Sequence, residues 1–188
     1  MRDYWIEVTG HKASDLIFLD ESGAVLNLAC LYGYAAKGQR AYAPRPTAKG
    51  TRVSTIGALS AQGLLTAMCY EGTLNGEVFR FFIQEFLMST LTPKSLLILD
   101  NASPHYNAEA VQLITTTGAK ILYLPPYSPE MNPIEYCWAT AKQLLRKLAP
   151  RALDQLYDSW AQALETFDQT LATACFQHCG FCMKPQRI

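Results

Sequence analysis

Short runs of unbroken apolar residues punctuate this chain, and between them lie stretches in which apolar side chains recur every three or four positions. Leu16-Ile17-Phe18-Leu19, Leu96-Leu97-Ile98-Leu99 and residues 120–124 are the short runs. Without polar alternation, such runs predict strands buried on both faces. A turn at Asp20-Glu21-Ser22-Gly23 should lead into a further strand over residues 25–34. Residues 52–59 and 64–70, separated by Ser60-Ala61-Gln62-Gly63, predict a hairpin. Helical spacing of Val78, Phe82, Phe86 and Leu87 predicts a helix over residues 75–90, with Asn75 or Gly76 near its cap. Ser103 and Pro104 suit an N-cap and a first helical residue, in a helix ending near Gly118. Asn132 and Pro133 repeat that signal and place Glu135 third in its helix, beside an apolar stripe of Ile134, Trp138, Ala141, Leu145 and Leu148. A long amphipathic helix is expected over residues 153–172, with Leu156, Trp160, Leu164 and Phe167 on one face.

This order of strands and helices predicts an α/β fold, a mixed sheet with helices on both faces. The 188 residues suffice for one sizeable domain. With 49% hydrophobic and 17% charged residues the chain is globular, and no apolar run approaches the length of a membrane span. The first seven residues are too broken by charge for a signal peptide, so the expected compartment is the cytosol, with reduced cysteines. Cys30, Cys69 and Cys137 read as small core residues. Cys175, His178, Cys179 and Cys182 crowd together without the long loop that separates the ligand pairs of a zinc site.

Net charge is zero, which argues against a nucleic-acid partner until its distribution is considered. Between Ser22 and Tyr70 there is no acid, yet Lys37, Arg40, Arg45, Lys49 and Arg52 are present. Between Tyr136 and Leu153 there is again none, against Lys142, Arg146, Lys147 and Arg151. Segregated charge gives a neutral protein a basic face for phosphates, or simply a solvated surface. On the Glu135 helix, Ala139, Lys142 and Arg146 follow Glu135 on one stripe, so an acid and two cations share a face.

Three acids carry the candidate chemistry. Asp20 and Asp100 each end an apolar run, where open α/β sheets bind their ligands, and Glu135 opens a helix. Pro126, Pro129 and Pro133 should hold the approach to that helix extended and rigid. A capping-box glutamate is the alternative role for Glu135. Three carboxylates offer the hard oxygens that magnesium requires. The segment Gly33-Tyr34-Ala35-Ala36-Lys37-Gly38-Gln39-Arg40 is not a phosphate loop, since Gln39 stands where lysine is needed.

The phrases LDESG, LDNASPH and LPPYSPEMNPIE, with thirty-four residues between Asp100 and Glu135, resemble the signatures of DDE transposases, specifically the bacterial insertion-sequence branch of the mariner superfamily. YGYAAKGQR, GALS near Gly57 and the closing FQHCGF extend the likeness over nearly the whole chain. The resemblance implies a ribonuclease-H-like fold. It implies a single catalytic domain with a core over about residues 15–150 and a C-terminal helical extension over about 151–182. It implies that Asp20, Asp100 and Glu135 hold two Mg²⁺ or Mn²⁺ ions. Glu21 and Asn101, polar neighbours of the two aspartates, are candidates to support those ligands, and His105, a position where the family often has histidine, either bonds a ligand or phosphate or serves packing. The implied activity is DNA strand cleavage and strand transfer at transposon ends, with TA as target dinucleotide and a homodimer in the active complex. Lys37, Arg40, Arg45, Lys49, Arg52, Lys142 and Arg146 are the candidate DNA contacts. Fifteen residues precede Leu16, so the helix-turn-helix domain usual in the family is expected to be absent here, through truncation or a split reading frame whose upstream product supplies it. Two alternatives follow: a non-catalytic product that regulates full-length transposase, and a structure-specific nuclease of the same fold.

Overall fold

The computed structural model describes residues 2–30, 32–42, 46–47 and 50–181. Strands β1 (Leu16–Val25), β2 (Arg52–Ser60) and β3 (Gly63–Glu71) form an antiparallel meander, and β4 (Leu96–Leu99) and β5 (Lys120–Tyr123) extend it in parallel with β1. Among the described residues this is one five-stranded mixed sheet in the order β3-β2-β1-β4-β5. The helices are α1 (Arg2–Thr9), α2 (Gly76–Phe82), α3 (Ala108–Thr116), α4 (Pro133–Leu148), α5 (Leu153–Glu165) and α6 (Gln169–His178).

Each apolar run serves two cores, because successive strand side chains point to opposite faces. Leu16 and Phe18 of β1 join Trp138, Trp160 and Phe176 on the face covered by α4, α5 and α6. Ile17 and Leu19 join Phe79, Phe82, Ala110 and Ile114 on the face covered by α2 and α3. Parallel pairing of β1 with β4 requires crossover connections, and those place helices on both faces.

Several local expectations change once tertiary contacts are present. Asp20-Glu21-Ser22-Gly23 is not a turn, and among the described residues no second strand follows Val25 before β2. β1 runs unbroken to Val25 because β2 keeps pairing with it, from Asp20↔Gly57 to Val25↔Arg52, after β4 has ended at Leu99. Burial of β1 changes accordingly from continuous to alternating at Glu21. The helix over 75–90 begins as expected, with Asn75 accepting from the Val78 N–H at 2.9 Å, but widens into a π turn at Ile83–Leu87 and tightens into a 3₁₀ turn at Met88–Thr90. Ser103 and Pro104 open only a 3₁₀ turn, and α3 is capped instead by Asn107, which accepts from the Ala110 N–H at 2.9 Å. The long C-terminal helix breaks between α5 and α6. The Leu64 N–H donates to the Phe167 carbonyl at 2.9 Å and Asp168 caps α6, so the hairpin turn holds the break. Gly63 makes this approach possible: at φ 121°, a Cβ there would lie 2.9 Å from the Phe167 oxygen. Helix α1 has no counterpart in the sequence reading. Cys137 is buried as expected, whereas Cys69 is half-buried and Cys30 exposed. No described helix is long and apolar enough to cross a membrane.

Candidate active site

Asp20, Asp100 and Glu135 line one open cleft of about 470 Å³, together with Asn101, Asn132 and the segment 124–129. Each arrives by a different route. Asp20 follows Leu16 and Phe18 in the β1 alternation, so it leans toward the face covered by α4. Asp100 is the first residue past β4. Glu135 is the third residue of α4. It is not a capping-box glutamate: the Asn132 N–H donates to Pro129 oxygen at 3.0 Å, and no side-chain cap bond closes that helix start.

Packing fixes how far α4 stands from β1. Gly57 is the register partner of Asp20, and the Trp138 ring lies against it. A Cβ at Gly57 would meet Trp138 Cη2 at 3.1 Å, so only glycine leaves the indole at its present depth. Trp138 is itself held edge-on by Trp160 and against Phe167. One turn before this wedge sits Glu135.

The electrostatics are those of an acid cluster. Asp20 is 6% exposed, and its Oδ2 is buried without a hydrogen-bond partner. Burial pushes its pKa well above the usual value, and the charges of Glu135, Glu21 and Asp100 push it further. Glu135 is also raised, by partial desolvation at the helix start, while Lys142 two turns along α4 opposes the rise. Asp100 goes the other way. His105 Nδ1 lies 2.7 Å from its Oδ1 and the Ala102 N–H donates to the same oxygen at 2.9 Å, so the charged form is favoured. Among the described residues no three His, Cys, Asp or Glu side chains close on one point as they stand; the acids line the cleft. The donor set nevertheless fits a hard divalent cation, since the groups are carboxylates and the buried Asp20 oxygen lacks any counter-group.

Glu21 points to the opposite face of β1 with Ile17 and Leu19, and meets His105 Nε2 at 3.9 Å. The fully buried imidazole therefore lies between Glu21 and Asp100 and packs on the Phe79 ring. Asn101 ties the strand end to the loop that leads to Glu135. Its Nδ2 donates to Leu124 oxygen at 2.7 Å and its Oδ1 accepts from Tyr106 Oη at 2.9 Å. Tyr106 in turn stacks on Tyr123.

The described basic candidates sit on different parts of the fold. Lys142 and Arg146 are half-buried on α4, with Lys142 close enough to stabilise the Glu135 charge. Lys37 and Arg40 are exposed in the irregular segment after β1. Arg52 is engaged within the sheet, its Nε donating to Ser54 Oγ at 3.0 Å and its guanidinium lying over Gly23. Arg45, Lys49 and Cys182 lie outside the described residues. Arg151 donates to the Leu28 carbonyl at 2.7 Å, tying the segment after β1 to the start of α5.

The proline-rich approach is not simply extended. It turns at Pro126–Tyr127 and makes a 3₁₀ turn at Pro129–Met131. Tyr127, with a positive φ of 56°, had no role in the sequence reading, and Asn132, expected there as the cap of α4, makes no side-chain cap bond and has its Oδ1 buried without a partner. A tyrosine directly after a proline in a turn was the available signal for Tyr127.

Comparison with known proteins places this arrangement. No curated protein matches the chain. The Mos1 strand transfer complex superposes with a TM-score of 0.77 at 15% identity, covering 95% of this chain and 56% of that one. The mariner Mos1 paired end complex with Mg gives 0.77 at 15% identity, covering 96% and 59%. The catalytic domain of Mos1 mariner transposase gives 0.66 at 11% identity, covering 95% and 85%. The chain thus spans under two thirds of the longer Mos1 chains, and the likeness establishes a ribonuclease-H-like fold. A family model described as DDE superfamily endonuclease matches residues 15–157, from the start of β1 into α5 and across all three cleft acids. The chain belongs to the DDE superfamily endonucleases.

Proposed function

We propose that this chain is the catalytic domain of a mariner-type DDE transposase, which cuts DNA strands at transposon ends and joins the freed ends to target DNA. The observation that carries the reading is the convergence of Asp20, Asp100 and Glu135 on one cleft, with an unpartnered carboxylate oxygen buried at its base. Asp20, Asp100 and Glu135 would hold two Mg²⁺ or Mn²⁺ ions; the Mos1 structures with Mg support that choice of cation. Bound there, such ions would activate an attacking water or a DNA 3′-hydroxyl and stabilise the leaving oxygen.

The chain's own residues do the rest. His105 holds Asp100 ionised and oriented, leaving its second oxygen free to face the cleft. Asn101 fixes the strand end against the loop after β5, so Asp100 and the approach to Glu135 keep one spacing. Lys142 offers a cation beside the acids, where a flanking phosphate would lie. Transposon ends and target DNA are the proposed partners, and paired-end assembly of two copies is the proposed active form, as the Mos1 paired end complexes suggest.

Glu135→Gln tests the reading. The exposed side chain caps nothing, so the variant should fold and melt as the parent does, yet lose Mn²⁺-dependent nicking of supercoiled plasmid. Nicking near the parental rate in the variant would remove Glu135 from the site.

A further inference from the structure

Tyr32, Tyr34 and Tyr42 are as exposed as Tyr127, but Tyr127 alone of these four lines the cleft and has a positive φ. It lines the acidic cleft, yet it is fully exposed and makes no hydrogen bond among the described residues. Its backbone sits at φ 56°, a conformation that bulky residues rarely adopt. The position after proline in such a turn favours glycine or asparagine. Ordinary folding needs explain neither the ring nor the strain. The ring buries nothing, and a smaller residue would fit the turn better. Strain of this kind collects where the surrounding chain over-determines a conformation for use. Here Pro125, Pro126 and Pro129 surround the turn, and the Asn101 bond to Leu124 holds its near end.

The consequence is a flat π surface, carried on a constrained turn and standing clear of the protein, beside the cleft lined by Asp20, Asp100 and Glu135. Such a surface recognises another flat π system, and stacking on a nucleobase needs no particular base identity. A base inside a duplex already has neighbours on both faces. The ring can therefore meet only a base at a strand end or one drawn out of the stack, and cutting creates such an end beside the acids. We infer that Tyr127 is a stacking platform for the terminal or unstacked nucleobase next to the phosphate in the cleft. This deepens the nuclease reading above and rests on it.

The test uses the whole chain, Mn²⁺ and short duplexes carrying 2-aminopurine either at a strand terminus or in the interior. Binding is followed by anisotropy and stacking by 2-aminopurine fluorescence. Tyr127→Phe and Tyr127→Trp keep a ring; Tyr127→Asn removes it while suiting the positive φ. The parent and both aromatic variants should quench the terminal probe. Tyr127→Asn should lose that quenching and bind frayed-end duplexes roughly 5- to 150-fold more weakly, with an unchanged melting temperature. Quenching of the terminal probe by Tyr127→Asn at the parental level would overturn the inference, as would its loss in Tyr127→Phe. Should the parent bind the duplexes and leave both probes equally bright, the stacking role fails and the nuclease reading stands. Should it bind no DNA in either assay, the nuclease reading fails and the platform with it.

Discussion

Replacing Asp20 by Asn should make the metal-free protein more stable, against the usual direction of a change at a buried strand residue. Asp20 is almost wholly enclosed, its Oδ2 has no partner, and its neighbours Glu135, Glu21 and Asp100 carry the same charge. An unsatisfied buried polar group costs about 1–3 kcal/mol, and a charged one more. The amide keeps the shape and removes the charge with its like-charge repulsion, so a gain of about 1–3 kcal/mol is expected; at about 2–4 °C per kcal/mol for a chain of this length, the melting temperature should rise by about 2–12 °C. The sign with pH follows from the raised folded pKa. The folded acid is comfortable when protonated, so no penalty exists below the ordinary value of 3.8, and the penalty grows as pH rises through the folded value. The gap between variant and parent should therefore widen as pH is raised. Divalent cation should reverse the order. At about a hundred times its dissociation constant, Mn²⁺ would stabilise the parent by about 2.7 kcal/mol, and the variant far less. Calorimetry or dye-monitored melting in EDTA and in Mn²⁺ at several pH values measures all of this. An Asn variant that melts below the parent in EDTA, or that responds to Mn²⁺ as strongly as the parent, would refute the account of Asp20 as an unpaired acid awaiting a cation.

Gly57→Val should force the Trp138 ring outward and cost about 1–3 kcal/mol as an overpacked core does. Because that ring sets the depth of α4, it should also reduce the Mn²⁺-induced rise in melting temperature, and an undiminished rise would separate the Trp138 contact from the site. Lys142→Ala should weaken DNA binding to transposon-end and random duplexes alike, and lower the slope of log affinity against log salt by about 0.9, the share of one phosphate contact; a salt titration whose slope does not change would exclude that contact. Glu135→Gln should abolish Mn²⁺-dependent nicking with melting unchanged, read on plasmid gels.

Much of the frame was legible from local pattern. The unbroken runs at Leu16 and Leu96 announce strands buried on both faces, because a strand between two helical layers has no polar side. The acids at their ends stood out only in company with Glu135, since Asp-Glu-Ser-Gly and Asp-Asn also suit an ordinary strand end; the fold brings all three to one cleft. Sequence could not say how long β1 is. Asp-Glu-Ser-Gly satisfies a turn as well as a strand, and only continued pairing with β2, from Asp20↔Gly57 to Val25↔Arg52, selects the strand. Nor could it separate α5 from α6, because the periodicity runs on through Phe167 and the break depends on a hydrogen bond from Leu64. The electrostatic asymmetry within the site is tertiary too. Asp20 and Asp100 look alike as strand-end acids, yet burial among like charges raises one while His105 lowers the other. Side-chain type and period are local quantities and survive in a linear string. Which acid meets a buried imidazole, which glycine meets an indole and which tyrosine is left standing at a cleft are distances between remote parts of the chain, and only the folded backbone sets them.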